Sequence, residues 1–242
     1  AVSLNSGTDA LVLALKALDI GPGDEVITVP NSWISTASSI VLIGAQPIFV
    51  DVKDDLNIDP ELLKSVITTR TKAIIPVHLA GKCAEMDSIL AIAQQHQIAV
   101  IEDAAQSVGS LYKGKPAGAM GLMGCFSLHP LKNISGIGDG GILVTNDESL
   151  ATKVKQLRNH GLANRDEVLC WGYNSRLDSV NAGVLNYRLQ KLDEIIENRR
   201  RNAAKYTAKL DKYVNCPKED SLCYDVYNQY VIQTSRRDEL KA

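Results

Sequence analysis

The stretch HPLKNISGIGDGG, residues 129–141, holds a Gly136-x-Gly138-x-x-Gly141 pattern and, just ahead of it, a single lysine, Lys132. A dinucleotide fingerprint of this kind must follow a strand and open a helix, because the helix N-terminus receives the pyrophosphate. Here the glycines lead into ILVTN, a strand-like run, and no Gly-Lys-Ser/Thr follows to form a nucleotide-triphosphate loop. Taken alone, the glycines predict a flexible turn between two strands. Most single lysines are solvated surface charges, but Lys132 lies between two strand-like segments, where an unpaired ammonium is costly. Such surroundings lower a lysine's pKa and make it a nucleophile able to form a Schiff base. The cofactor that exploits this is pyridoxal 5'-phosphate (PLP). Its site needs a phosphate cup, an acid for the pyridine nitrogen and a flat side chain against the ring.

Working outward, short β-rich runs alternate with helical patterns. Strands are expected over 25–30, 46–52, 72–80, 98–105, 124–129 and 140–146, and helices over 9–19, 32–44, 60–68 and 86–97. Several strands are nearly continuous Val/Ile/Ala runs, which suits burial on both faces. The alternation predicts an α/β fold, a mainly parallel central sheet with helices on both faces. One long amphipathic helix is expected over 179–212, charged in its middle. The sequence then changes character. This divides the chain into a large domain, 1–180, and a connecting helix with the start of a smaller α+β C-terminal domain, 181–242. The beginning and the end both read as cut from a longer protein.

Each requirement of a PLP site has a candidate. SGTDALVLALKALD (6–19) places a Ser-Gly-Thr turn at the start of an Ala/Leu-rich helix, whose free N–H groups attract an anion. A plain N-cap by Thr8 or Asp9 would explain the same residues. Asp103 ends the run IAVIED, and parallel sheets bind ligands beyond the carboxyl ends of their strands. A carboxylate there would keep the pyridine protonated; a turn-forming or ribose-binding Asp is the competing reading. Trp33 also follows a strand end and could stack on the ring, although core packing is the commoner use of Trp.

Composition narrows the classes. The 242 residues carry a net charge of −2, which offers nothing to nucleic acid or to an anionic membrane surface. No apolar run is long enough for a membrane span. Five scattered cysteines without a CxxC pair argue against a disulfide framework and structural zinc, and favour the reducing cytoplasm.

These residues fall into an order that resembles the DegT/DnrJ/EryC1/StrS family of PLP-dependent sugar aminotransferases, which has the type I aspartate-aminotransferase fold. The segments that carry the likeness are SGTDAL (6–11), GPGDEVITVPNSW (21–33), TKAIIPVHLAG (71–81), VIEDAAQSVGSLYKG (100–114), FSLHPLKN (126–133), GDGG (138–141), RNHG (158–161) and GYNSR (172–176). The resemblance implies that Lys132 forms the Schiff base and shuttles the proton. It implies that Asp103 binds the pyridine nitrogen, and that Gln106, one helical turn beyond, bonds the phenolic oxygen. Trp33 would stack on the ring; Gly7, Thr8 and Ser127 would hold the phosphate. Asn174 would reach the phosphate of the neighbouring subunit in a homodimer with shared active sites.

His129 lies in the lysine loop with no role assigned. A subgroup of the family that deoxygenates sugars carries histidine in place of the lysine, so Lys132 favours transamination. The chain departs from the family pattern at Asn181, where glutamine is usual. The implied reaction transfers an amino group, with L-glutamate as the amino donor, to a nucleotide-linked keto-sugar. The rival readings are a non-catalytic PLP-fold regulator or sensor and an NAD-binding Rossmann enzyme.

Overall fold

A computed structural model describes residues 1–242. In chain order the elements are β1 (Val2–Leu4), α1 (Gly7–Ala17), β2 (Glu25–Thr28), α2 (Ile34–Leu42), β3 (Gln46–Phe49), α3 (Pro60–Val66), β4 (Thr71–Ile74), α4 (Met86–His96), β5 (Ala99–Asp103), β6 (Leu111–Tyr112), β7 (Lys115–Pro116), β8 (Met123–Ser127), β9 (Gly141–Val144), α5 (Glu148–Leu157), α6 (Ser179–Leu189), α7 (Leu192–Leu210), β10 (Cys223–Tyr224) and α8 (Arg237–Lys241).

The central sheet has seven strands in the order β1-β9-β8-β5-β4-β2-β3. From β3 to β8 every neighbouring pair is parallel; β9 and β1 complete the sheet antiparallel. Consecutive strand residues point to opposite faces, and both faces are covered. Val26, Ala73, Ile75 and Ile101 join α1, α2 and α5 in one core. Their chain neighbours Ile27, Ile74 and Val100 join α3 and α4 in the other. This double burial is why the strands read as unbroken apolar runs rather than as alternating ones.

Several local features differ from expectation. The N-cap of α1 is Ser6, whose side chain accepts the Asp9 N–H, and not Thr8 or Asp9. The segment over 179–212 is two helices, α6 and α7, separated at Gln190–Lys191; no Gly or Pro marks the join. α5 was hidden by its charge and β1 by its brevity. The residues after β5 form tight turns, with Ser107 N–H bonding Ala104 O and Ser110 N–H bonding Ser107 O, so Gln106 does not sit on a helix. No helix is long and apolar enough to cross a membrane.

Candidate active site

The carboxyl ends of four adjacent parallel strands, β2, β4, β5 and β8, face the same end of the sheet. Trp33 follows β2 and caps α2, His78 follows β4, Asp103 ends β5, and Ser127 ends β8 just before the Lys132 loop.

Asp103 is 5% exposed. Its Oδ2 accepts the Thr36 hydroxyl at 2.8 Å, and its Oδ1 accepts the Ala105 N–H at 3.2 Å. Burial raises its pKa above the ordinary aspartate value; the Thr36 bond, the Ala105 bond and the charges of Lys132 and His78 oppose the rise. Lys132 is half-buried. Burial pulls its pKa below the ordinary lysine value, and the Asp103 carboxylate partly restores it. The lysine and the acid therefore feel each other's charge across one space, and the desolvation anticipated for Lys132 is present.

Gly7 faces Ser127 so closely that a Cβ on Gly7 would lie 2.7 Å from the Ser127 Cβ. Only glycine lets the first turn of α1 approach the end of β8. Helix geometry gives the Gly7 and Thr8 N–H groups no intrahelical acceptor. Thr8 Oγ1 donates to Ser35 Oγ at 2.8 Å. Gln106, nearly buried, accepts the Ala80 N–H on its Oε1 at 2.8 Å, which leaves its amide N–H groups to donate. Trp33 is 72% exposed, with its ring outside the core. Asn174 is exposed, accepts from Arg176 Nε at 3.0 Å and pairs its backbone with Asn159. The chain thus brings together Gly7, Thr8, Trp33, Asp103, Gln106, Ser127 and Lys132, while Asn174 makes no side-chain hydrogen bond to any of them.

The glycine pattern has a structural use. Gly141 opens β9, antiparallel to β8, so no helix N-terminus follows and the dinucleotide reading is excluded. Gly136 packs against Asn181, whose Oδ1 would stand 2.6 Å from an added Cβ. Asn181 accepts the Ile137 N–H and donates to Asp139 O, both at 3.0 Å. The glycines admit a close clamp on the turn rather than leaving it loose, and the residue that departs from the family pattern supplies the clamp.

Other supporting residues escaped sequence reasoning. Glu102 and His78 are fully buried, with His78 Nε2 2.8 Å from Glu102 Oε2. His78 Nδ1 accepts the Ala84 N–H, so Nε2 carries the proton. Glu102 also accepts the N–H groups of Gly118, Met120 and Gly121. Buried Ser175 donates to Asp9 at 2.5 Å and accepts the Asn5 N–H, pinning the GYNSR loop to α1.

The model of the DegT/DnrJ/EryC1/StrS aminotransferase family matches residues 1–242. The chain belongs to that family. The UDP-2-acetamido-2-deoxy-3-oxo-D-glucuronate aminotransferase of Pseudomonas aeruginosa is 42% identical over 100% of this chain and 68% of its own length. The pleiotropic regulatory protein of Geobacillus stearothermophilus is 44% identical over 100% of this chain and 66% of its own. The crystal structure of S. venezuelae DesV in complex with a ketimine intermediate superposes with a TM-score of 0.95 at 40% identity, covering 99% of this chain and 65% of that one. This DegT/DnrJ/EryC1/StrS member therefore spans about two thirds of the length of the relatives it matches.

Proposed function

We propose that this protein binds PLP at the carboxyl ends of β2, β4, β5 and β8 and moves an amino group from L-glutamate to a nucleotide-linked keto-sugar. The observation that carries the reading is that Lys132, partly desolvated and without a hydrogen-bond partner for its amine, lies where it feels the charge of the buried Asp103 carboxylate. The residues fit the cofactor. The close Gly7–Ser127 contact sets the Ser127 hydroxyl beside the first N–H groups of α1, the donors a phosphate would need. Asp103 holds a proton on the ring nitrogen. Gln106 donates to the phenolic oxygen through the amide N–H groups that Ala80 leaves free. Trp33 covers a ring face.

PLP supplies an electron sink for charge that develops on the substrate carbon. Lys132 anchors the cofactor and moves the proton at that carbon; its lowered pKa leaves more of the amine unprotonated near neutral pH, as a base requires. The sugar-nucleotide assignment is supported by the 3-oxo-glucuronate sugar nucleotide for which the Pseudomonas relative is named.

The site is completed by a second copy of the chain, to which Asn174 would contribute. The exposed apolar residues Trp171, Leu131 and Ile137, beside the Asn174 and Lys132 loops, support that arrangement. We assign residues 1–180 to the cofactor-binding domain and 181–242 to the connection and the start of a smaller domain. The cytoplasm fits the five unpaired cysteines.

The test supplies 15N-glutamate with UDP-, dTDP- and GDP-linked keto-sugars and follows the nitrogen by mass spectrometry. The proposal requires 15N in one of the sugar nucleotides; absence of transfer to all of them rejects it. A regulatory role is the second reading, favoured by the name of the Geobacillus relative. It predicts bound cofactor whose spectrum glutamate leaves unchanged.

A further inference from the structure

We propose that Thr36 is a positioning residue of the cofactor site: its hydroxyl orients the Asp103 carboxylate toward the cofactor's ring nitrogen. The inference rests on the reading of Asp103 as the ring-nitrogen acid.

Thr36 is 1% exposed and lies in the first turn of α2. Its Oγ1 stands 2.8 Å from Asp103 Oδ2, across 67 residues of sequence, and 2.8 Å from Ser32 Oγ. An ionised carboxylate only accepts, so the Thr36 proton points at Asp103 and the contact with Ser32 is donated by Ser32. The bonds therefore run one way, from Ser32 to Thr36 to Asp103. Because Ala105 N–H holds the other oxygen, the carboxylate cannot rotate without breaking a bond on one side or the other. Thr36 is β-branched, and in a helix its own χ1 is restricted.

The same turn touches two further parts of the site. Trp33 caps it, and Ser35 Oγ accepts from Thr8. One turn of α2 thus connects the ring face, the phosphate turn and the ring-nitrogen acid.

The Thr36 bond also has an electrostatic consequence. Burial works to protonate Asp103, and the Thr36 hydroxyl is the strongest influence against it. The other ionisable groups facing Asp103 are Lys132, His78 and the buried Cys125 on β8. Only Thr36 and Ala105 hydrogen-bond its carboxylate. Removing the hydroxyl raises the pKa of Asp103, so a larger fraction is neutral at pH 7 and the ring nitrogen loses its anionic partner.

The probe is pyridoxamine 5'-phosphate, which lacks the aldehyde and so binds without a covalent step at Lys132. Its dissociation constant is measured from pH 5 to pH 9 for wild type, Thr36→Val, Thr36→Ser and Asp103→Asn. Thr36→Val keeps the shape and loses the donor. It is expected to weaken binding at pH 7 by about tenfold and to move the acidic limb of the profile up by about one pH unit. Thr36→Ser keeps the hydroxyl and is expected to follow wild type, which a purely packing role for Thr36 would not allow. Asp103→Asn should bind weakly across the range and lose the limb.

If Asp103→Asn binds like wild type, the reading of Asp103 itself falls. If Asp103→Asn is weak but the Thr36→Val profile superposes on wild type, the role of Thr36 alone is overturned. Should Thr36→Val not fold, Ser32→Ala carries the test: a smaller shift of the limb in the same direction supports the one-way chain, and an unmoved limb refutes it.

Discussion

Replacing Glu102 with glutamine should destabilise this protein far more than an isosteric change suggests. The carboxylate is fully buried, and its two oxygens divide four donors between them. Oε2 accepts His78 Nε2 at 2.8 Å and the Gly118 N–H at 2.7 Å; Oε1 accepts the N–H groups of Met120 at 2.7 Å and Gly121 at 2.5 Å. Glutamine offers one oxygen and one NH2 group. Whichever way the amide turns, the NH2 faces two N–H donors. His78 cannot accommodate it by changing tautomer, because Ala84 N–H already occupies Nδ1.

Two buried donors left unpaired at roughly 1–3 kcal/mol each, with the charge-assisted character of the remaining bonds lost, give a cost of about 3–5 kcal/mol. In urea unfolding, with a slope of about 2–3 kcal/mol/M, the midpoint should fall by about 1–2 M with the slope unchanged. The pH dependence adds a second signature. Burial pushes the Glu102 carboxyl up, but the bonds from His78 and the loop prevail and hold it below the ordinary glutamate value. A depressed acid stabilises the fold above its unfolded pKa and loses that stabilisation as pH falls through its folded pKa. The gap between wild type and Glu102→Gln should therefore narrow below about pH 4. A variant whose midpoint stays within about 0.3 M of wild type at pH 7, where a fall of about 1–2 M is expected, would refute the assignment of those four bonds.

Two further outcomes follow from the same geometry. Burial, against the attraction of Lys82 and Arg200, pushes the Asp225 carboxyl up to about 6. Ionising it at neutral pH costs about 3 kcal/mol, a penalty absent below the unfolded value near 4 and complete above the folded one. Asp225→Asn should accordingly raise the thermal midpoint at pH 7.5 and make no difference near pH 4. Gly7→Ala should weaken PLP binding by about tenfold or more, since the new methyl must push the first turn of α1 away from Ser127 and misplace N–H groups that bond a phosphate. Absorbance titration with the cofactor measures it, and unchanged affinity would remove Gly7 from the phosphate site.

The sheet was legible because its physics is local. Runs such as EVIT and AVIED are apolar on both faces and are bounded by turns, and their carboxyl ends carry Trp33 and Asp103. Lys132 was legible because a lysine between buried strands is costly unless it is used. What the sequence could not show were partners distant along the chain. Thr36 reads as one hydroxyl among several in STASSI until the fold brings it to Asp103, and Ser175 meets Asp9 across 166 residues. Glu102 reads as an ordinary strand acid until loop 118–121 closes over it. The break between α6 and α7 left no mark, because neither Gly nor Pro stands at Gln190 and Lys191 to signal it. The glycines of 136–141 advertised a nucleotide loop, and their real constraint, the approach to Asn181, lies 45 residues further along from Gly136.

The central claim is that Lys132 is the residue to which the cofactor attaches. Borohydride reduction of the protein mixed with PLP, followed by proteolysis and mass spectrometry, tests it most directly. A single pyridoxyl-phosphate adduct is expected on the peptide carrying Lys132, lost in Lys132→Ala. An adduct on another lysine, or one that survives in Lys132→Ala, would contradict it.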